Sequence, residues 1–251
     1  MNTTAHSQIK THMISPPDLG PILLAIETAS ICGSLALVTP GRCLAEYSLQ
    51  SHLTHSRRML QGIETLLTQT GLDWPDIAAL AVSLGPGSFT GLRIGLSTAK
   101  GLAMATGKPL IGVPTLDGLA AQLSFNKQLI CPVLDARKKE VYAAFYRADT
   151  AGNCQRISEF LILSPEQLTA GINEPVIFIG DGAQTYGSIF KDALKDRAII
   201  PAAEIFFSRA AAIGLVALAH YREQQFLDPA TSAPIYVRPS EAELNFDHIP
   251  A

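Results

Sequence analysis

Apolar positions along the chain switch between two periods, and the switches mark the elements. Ile22, Leu23, Leu24 and Ile26, then Leu35, Leu37 and Val38, predict two strands within Pro21–Val38, separated by the polar turn Glu27–Ser34. Pro40-Gly41 turns the chain into a third strand over Cys43–Gln50, so the protein opens with a β-meander. Met59, Ile63, Leu66 and Leu67 recur at helical spacing and predict a helix over Ser56–Thr70, with Gly71 at its C-cap. The short apolar run Ala79–Leu84 predicts a strand. It enters a glycine-rich loop, Gly85–Gly91, and then a helix over Gly91–Thr106 that stops at Gly107. Leu110–Val113 predicts another buried strand, and Pro114-Thr115 opens a further helix.

The second half repeats this style. Leu129–Asp135 and Val141–Arg147 predict strands joined by the charged turn Arg137-Lys138-Lys139-Glu140. Ser164-Pro165-Glu166 has the form of a helix start, with Ser164 as N-cap and Pro165 at the first helical position. Val176–Gly180 is a strand running into Asp181-Gly182, and Ser208–Glu223 is the last long helix. Strands alternating with helices predict an α/β protein. There is no short-period repeat, yet each half sets strands before a helix with a glycine turn at a matching junction.

Composition narrows the function classes. Hydrophobic residues are 47% and charged residues 16% of 251, ample for a buried core. The net charge of -3 argues against a chain that grips a nucleic acid unaided, because phosphate neutralisation dominates such affinity. Cys32, Cys43, Cys131 and Cys154 are widely spaced without a C-x-x-C pair, which fits a reducing compartment and neither a disulfide framework nor a zinc site. No apolar run reads as an export or membrane segment. Ala210–Ala219 is short, lies between Arg209 and Arg222, and reads as a core helix. The expected compartment is the cytoplasm. Residues 1–19 read as a flexible extension.

Candidate chemistry is sparse. The Gly85–Gly91 loop could bring backbone amides close to a phosphate, or could be a tight turn packing a helix onto a sheet. Its spacing, G-x-G-x-x-x-G, matches neither the Walker loop nor the dinucleotide fingerprint, which favours the turn. Gly91, Gly95 and Ala99 share one helical face, either packed on the sheet or offered to a partner helix. His52 and His55 have no third ligand nearby and read as polar residues leading into a helix. Ser88 lies outside any G-x-S-x-G elbow. Glu27, Asp135 and Asp181 stand at strand ends, where acids hold magnesium beside a nucleotide or simply form turns.

Several segments together resemble the TsaB (YeaZ) family. They are Ile22–Ala29, His55-Ser56, Ser83–Leu96, Lys100–Ala103, Val113–Leu116, Leu134–Tyr142, Gly180–Ala183 and Pro234–Arg238, in order. The Gly85–Leu96 block carries most of the specificity.

The resemblance implies a two-lobed fold of the actin-like, Hsp70-like, sugar-kinase (ASKHA) class. One lobe would cover residues 20–118 plus about 205–225, the other 119–204, with an irregular tail over 226–251. It implies a scaffold subunit without chemistry of its own, serving threonylcarbamoylation of the adenosine beside the tRNA anticodon. Partners would be a TsaD transferase, a TsaE ATPase and a second copy of itself, with tRNA held mainly by the others. Pairing would use the first-lobe helices, here His55, Ser56, Met59, Leu60, Ile63, Gly91, Arg93, Gly95 and Ala99.

Glu27, Thr28, Gly87, Ser88, Asp135, Gly180 and Asp181 would mark a vestigial nucleotide site, with ATP or ADP expected only at a subunit junction and no tightly bound cofactor or metal. The transferase's H-x-x-x-H motif has no counterpart, and Glu27 stands where ATPases of the superfamily carry aspartate. On this reading Gly95→Leu or Ile63→Asp should weaken pairing and spare the fold. The competing readings are a sugar-kinase-like phosphotransferase or ATPase and a peptidase. The peptidase lacks both a nucleophile constellation and a metal site.

Overall fold

The computed structural model describes residues 19–50, 55–201 and 207–237. The meander forms as β1 (Ile22–Glu27), β2 (Cys32–Thr39) and β3 (Arg42–Gln50). Then come α1 (His55–Thr70), β4 (Ile77–Gly85), α2 (Phe89–Thr106) and β5 (Leu110–Pro114). These strands make one sheet in the order β3-β2-β1-β4-β5. The meander pairs are antiparallel, while β1–β4 and β4–β5 are parallel. Parallel neighbours need crossovers, and α1 and α2 supply them.

Helix α3 (Thr115–Ala121) leads to a second sheet. Its strands are β6 (Leu129–Arg137), β7 (Glu140–Ala143), β8 (Tyr146–Ala148), β9 (Cys154–Arg156), β10 (Leu161–Leu163), β11 (Val176–Ile179) and β12 (Ala198–Ile199). Helices α4 (Pro165–Ala170) and α5 (Asp181–Leu194) lie between them, and α6 (Ala210–Arg222) closes the fold. The order β10-β7-β6-β11-β12 repeats the logic of the first sheet, with antiparallel neighbours on one side of the leading strand and parallel ones on the other.

The core explains why β1 is a continuous apolar run. Ile22, Leu24 and Ile26 face α1 and α2, whereas Leu23 and Ala25 face α6, so both surfaces of the strand are covered. The α6 side is built from small residues. Ala25, Ala36, Ala79 and Ala81 meet Ala210, Ala211 and Ala217. A Cβ on Gly214 would stand 2.5 Å from Val38 Cγ2 and 3.0 Å from Ala25 Cβ. The alanine-rich stretch is thus a buried core helix. Among the described residues no helix is long and apolar enough to cross a membrane.

Three expectations change. Val141–Arg147 is broken into β7 and β8, although both pieces keep one register on β6, Val133↔Ala143 and Ile130↔Tyr146. The break falls where Phe145 turns aside. Its N–H donates to Ser158 Oγ at 2.9 Å, and its carbonyl accepts from Ile157 N at 2.8 Å. Helix α5 is absent from the sequence expectations, although Ala183, Tyr186, Phe190 and Leu194 recur at helical spacing and form its packed face. The stretch after α6 is irregular but tied down over 227–237. Leu227 N donates to Leu110 O and Ile235 N to Leu84 O, both at 2.8 Å.

Candidate functional site

The glycine loop after β4 closes on the turn after β1. Ser88 N donates to Ala29 O at 2.6 Å, and Thr28 Oγ1 donates to Gly91 O at 2.8 Å. A Cβ on Gly87 would meet the Ala29 carbonyl, and one on Gly91 the Thr28 carbonyl. Ser88 caps α2 by accepting from Gly91 N at 3.2 Å, which starts the helix two residues earlier than the periodicity suggested. The glycines therefore serve a close approach between two segments of this chain, and the tight-turn reading of the loop holds.

Glu27 sits under that turn with no exposed surface. Its carboxylate accepts from the Ala29 amide, from Ser208 Oγ at 2.9 Å and from the Ser83 hydroxyl. Burial pushes its pKa up to about 7 against the pull of those donors. A sealed carboxyl bonded to its own chain offers no open oxygen to a magnesium ion, and Ser88 N, Gly91 N and Gly91 O of the loop are already engaged within the chain.

The second sheet brings Asp135, Gly180 and Asp181 together at the ends of β6 and β11. Asp181 Oδ1 accepts from Asp135 N at 3.0 Å, and burial raises its pKa. Asp135 accepts from Arg137 N at 2.9 Å and Tyr186 OH at 3.1 Å. Both acids are engaged as turn formers. Among the described residues no three His, Cys, Asp or Glu side chains cluster to hold a metal. His52 lies outside the described residues, as do the side chains of His55 and Ser56, although both belong to α1.

The proposed interface positions divide. Met59 and Ile63 are buried in the first-lobe core, and Gly91, Gly95 and Ala99 lie on the buried face of α2. A Cβ on Gly95 would run into Thr28 Oγ1. The small-residue stripe packs against the end of β1 and is not offered to a partner. Hence Gly95→Leu and Ile63→Asp would damage the fold itself, contrary to the expectation above. Leu60 stays open, 55% exposed. Arg93 is also at the surface, stacked 3.9 Å over the Phe89 ring and donating from Nε to Tyr236 OH at 3.0 Å.

Leu60 rims a groove of about 680 Å³ between α1 and α2, floored by Ile63, Leu67, Leu72, Trp74 and Leu102 and edged by Glu64 and Asp73. Sequence reasoning missed Trp74 and Leu102. The one tryptophan, placed after a helix C-cap, was the available signal.

Residues 49–246 match the family model described as TsaD, tRNA N6-adenosine threonylcarbamoyltransferase. The tRNA threonylcarbamoyladenosine biosynthesis protein TsaB of Escherichia coli is 35% identical over 192 residues, covering 72% of this chain and 82% of its own. The chain belongs to the TsaB family. The TsaB protein of Bacillus subtilis is 28% identical over 223 residues, covering 88% of this chain and 96% of its own. The solved YeaZ structure from Pseudomonas aeruginosa superposes with a TM-score of 0.74 at 25% identity, covering 86% of this chain and all of that one. A more distant likeness, TM-score 0.51 at 11% identity to the ethanolamine utilization protein EutJ of Carboxydothermus hydrogenoformans, concerns the fold alone. The two sheets of matching strand order agree with an actin-like fold.

Proposed function

We propose that the chain serves tRNA threonylcarbamoyladenosine biosynthesis as a non-catalytic scaffold, docking a TsaD-type transferase on the face of α1 and α2. The observation that carries this reading is the groove between those helices. It mixes apolar side chains with Glu64, Thr68 and Asp73 and is open at Leu60. Exposed apolar surface beside a formed groove marks a protein contact. A second copy of the chain competes for the same surface, and a TsaE-type ATPase joins the mixed complex. Any ATP or ADP sits at the subunit junction, since the chain's own glycine loop is closed. The working compartment is the cytoplasm. The phosphotransferase alternative finds no support in that closed loop, and the peptidase alternative finds none in the side-chain arrangement.

Size-exclusion chromatography with light scattering, on the chain alone and mixed with the TsaD-family protein of the same organism, tests this. The expected result is a dimer alone that converts to a mixed complex. Leu60→Asp should leave the melting temperature nearly unchanged, because the side chain is more than half exposed, while abolishing both assemblies. A Leu60→Asp chain that still pairs would sink the assigned surface.

A further inference from the structure

An aromatic cluster stands at the N-terminal end of α2, away from Leu102 and the groove. Phe89 is 39% exposed and Tyr236 40% exposed, with ring centroids 5.3 Å apart and planes 34° off parallel. Arg93 lies over the Phe89 ring and is hydrogen-bonded to the Tyr236 hydroxyl. Among the described residues no carboxylate pairs with Arg93. The charge around it is one-sided. From Ile77 to Leu116 the sequence has no Asp or Glu, while Arg93, Lys100 and Lys108 fall inside that stretch. Lys100 follows Arg93 by seven residues and so lies on nearly the same side of α2. Its Nζ donates to Ser232 O at 2.6 Å and lies close enough to Asp228 for the two charges to interact. Leu102 points the other way, toward the groove.

Buried aromatics need no ligand to explain them, but these two rings are tied to Arg93 and left partly open. The segment 227–237 is pinned so as to bring Tyr236 beside Phe89 from 147 positions away along the chain. Open rings joined to a guanidinium are what an unpaired nucleobase stacks upon, and the uncompensated cation suits the adjoining phosphodiester. An acidic protein partner would satisfy the charge but would not need two offset ring faces. We infer that Phe89, Arg93 and Tyr236 form a stacking platform for an unpaired base of RNA, a contact this chain makes directly. The inference rests on the tRNA-modification reading and deepens it. The net charge of -3 leaves most of the grip on RNA to the partner, and the platform adds one local contact.

The test is fluorescence polarisation with two labelled RNAs, an unmodified anticodon stem–loop and a fully paired duplex of equal length. The protein is the full chain in its complex with the TsaD-family partner. Phe89→Ala should weaken stem–loop binding about fivefold to a hundredfold, with little change for the duplex. Tyr236→Phe keeps the ring and should bind within about twofold of the parent, which guards against a variant that merely loosens the 227–237 segment. Unchanged stem–loop affinity in Phe89→Ala would overturn the platform. So would an equal loss on the duplex, which would signal charge alone, or a loss of partner complex by light scattering, which would make the patch a protein contact. Failure of the parent chain to join the partner would instead sink the scaffold reading, and stem–loop binding by the chain alone would then decide the platform separately.

Discussion

Glu27 shows how burial changes one residue's chemistry. Its carboxyl titrates near 7 in the fold, against 4.5 when exposed. Between those values the folded chain holds a proton that the unfolded chain has lost. This group's contribution to stability is therefore fully present below 4.5 and is lost as the pH rises through 7. Glu27→Gln keeps the shape and removes the titration. Urea unfolding at pH 5 and pH 8 should show the variant gaining on the parent with rising pH, by about 3 kcal/mol at the upper end. Parallel pH profiles would contradict the assignment. Gly95 makes the complementary point about size. Gly95→Ala sets a methyl against Thr28 Oγ1 and should cost about 1–3 kcal/mol in the isolated chain, read from the shift of the urea midpoint at constant slope. An unaffected midpoint would return the stripe to the surface.

At the scale of elements, α6 is the informative case. Its N-cap residue Arg209 makes no side-chain cap. The first amides are capped from the meander instead. Ser34 Oγ accepts from Ala210 N at 2.8 Å, Glu46 Oε1 accepts from Ala211 N at 3.0 Å, and Glu46 also pairs with Arg209. Ser34→Ala should cost about 1 kcal/mol in urea unfolding, the usual worth of a helix cap, although it lies 176 residues from the amide it serves. No loss would mean that water replaces the cap without penalty.

Such partners are why the element pattern was legible in the sequence and the site was not. The strands and helices of the first lobe follow from Ile22–Ile26, Met59–Leu67 and the glycine stops, because local period and local turn chemistry decide them. The direction in which Gly91, Gly95 and Ala99 face depends on Thr28, and Tyr236 reaches Phe89 only through a route that no periodicity encodes. Helix α5 was legible too, since Ala183, Tyr186, Phe190 and Leu194 keep helical spacing despite Gly182 and Gly187.

In the molecule as a whole, α3 touches both sheets, while α6 covers the first sheet and packs on α3. Asp117 on α3 accepts from Tyr146 OH at 2.5 Å, and Tyr146 is buried on β8 of the second sheet. Tyr146→Phe strands a mostly buried acid whose pKa burial already raises, and should cost about 1–3 kcal/mol. Hydrogen exchange should quicken in α3 more than in β1. A uniform change across both sheets would argue that the bond does not act locally. Helix α6 sets an order of events. The first lobe begins at the first strand, yet its alanine face is covered only by the helix over Ala210–Arg222. On the ribosome the first sheet therefore waits, one side bare, until almost the whole chain has been made. The second sheet, whose strands all lie in between, is free to finish first. The lobe that is synthesised earliest is completed last, and a chain stopped before α6 would leave Leu23, Ala25, Ala36 and Val38 facing solvent.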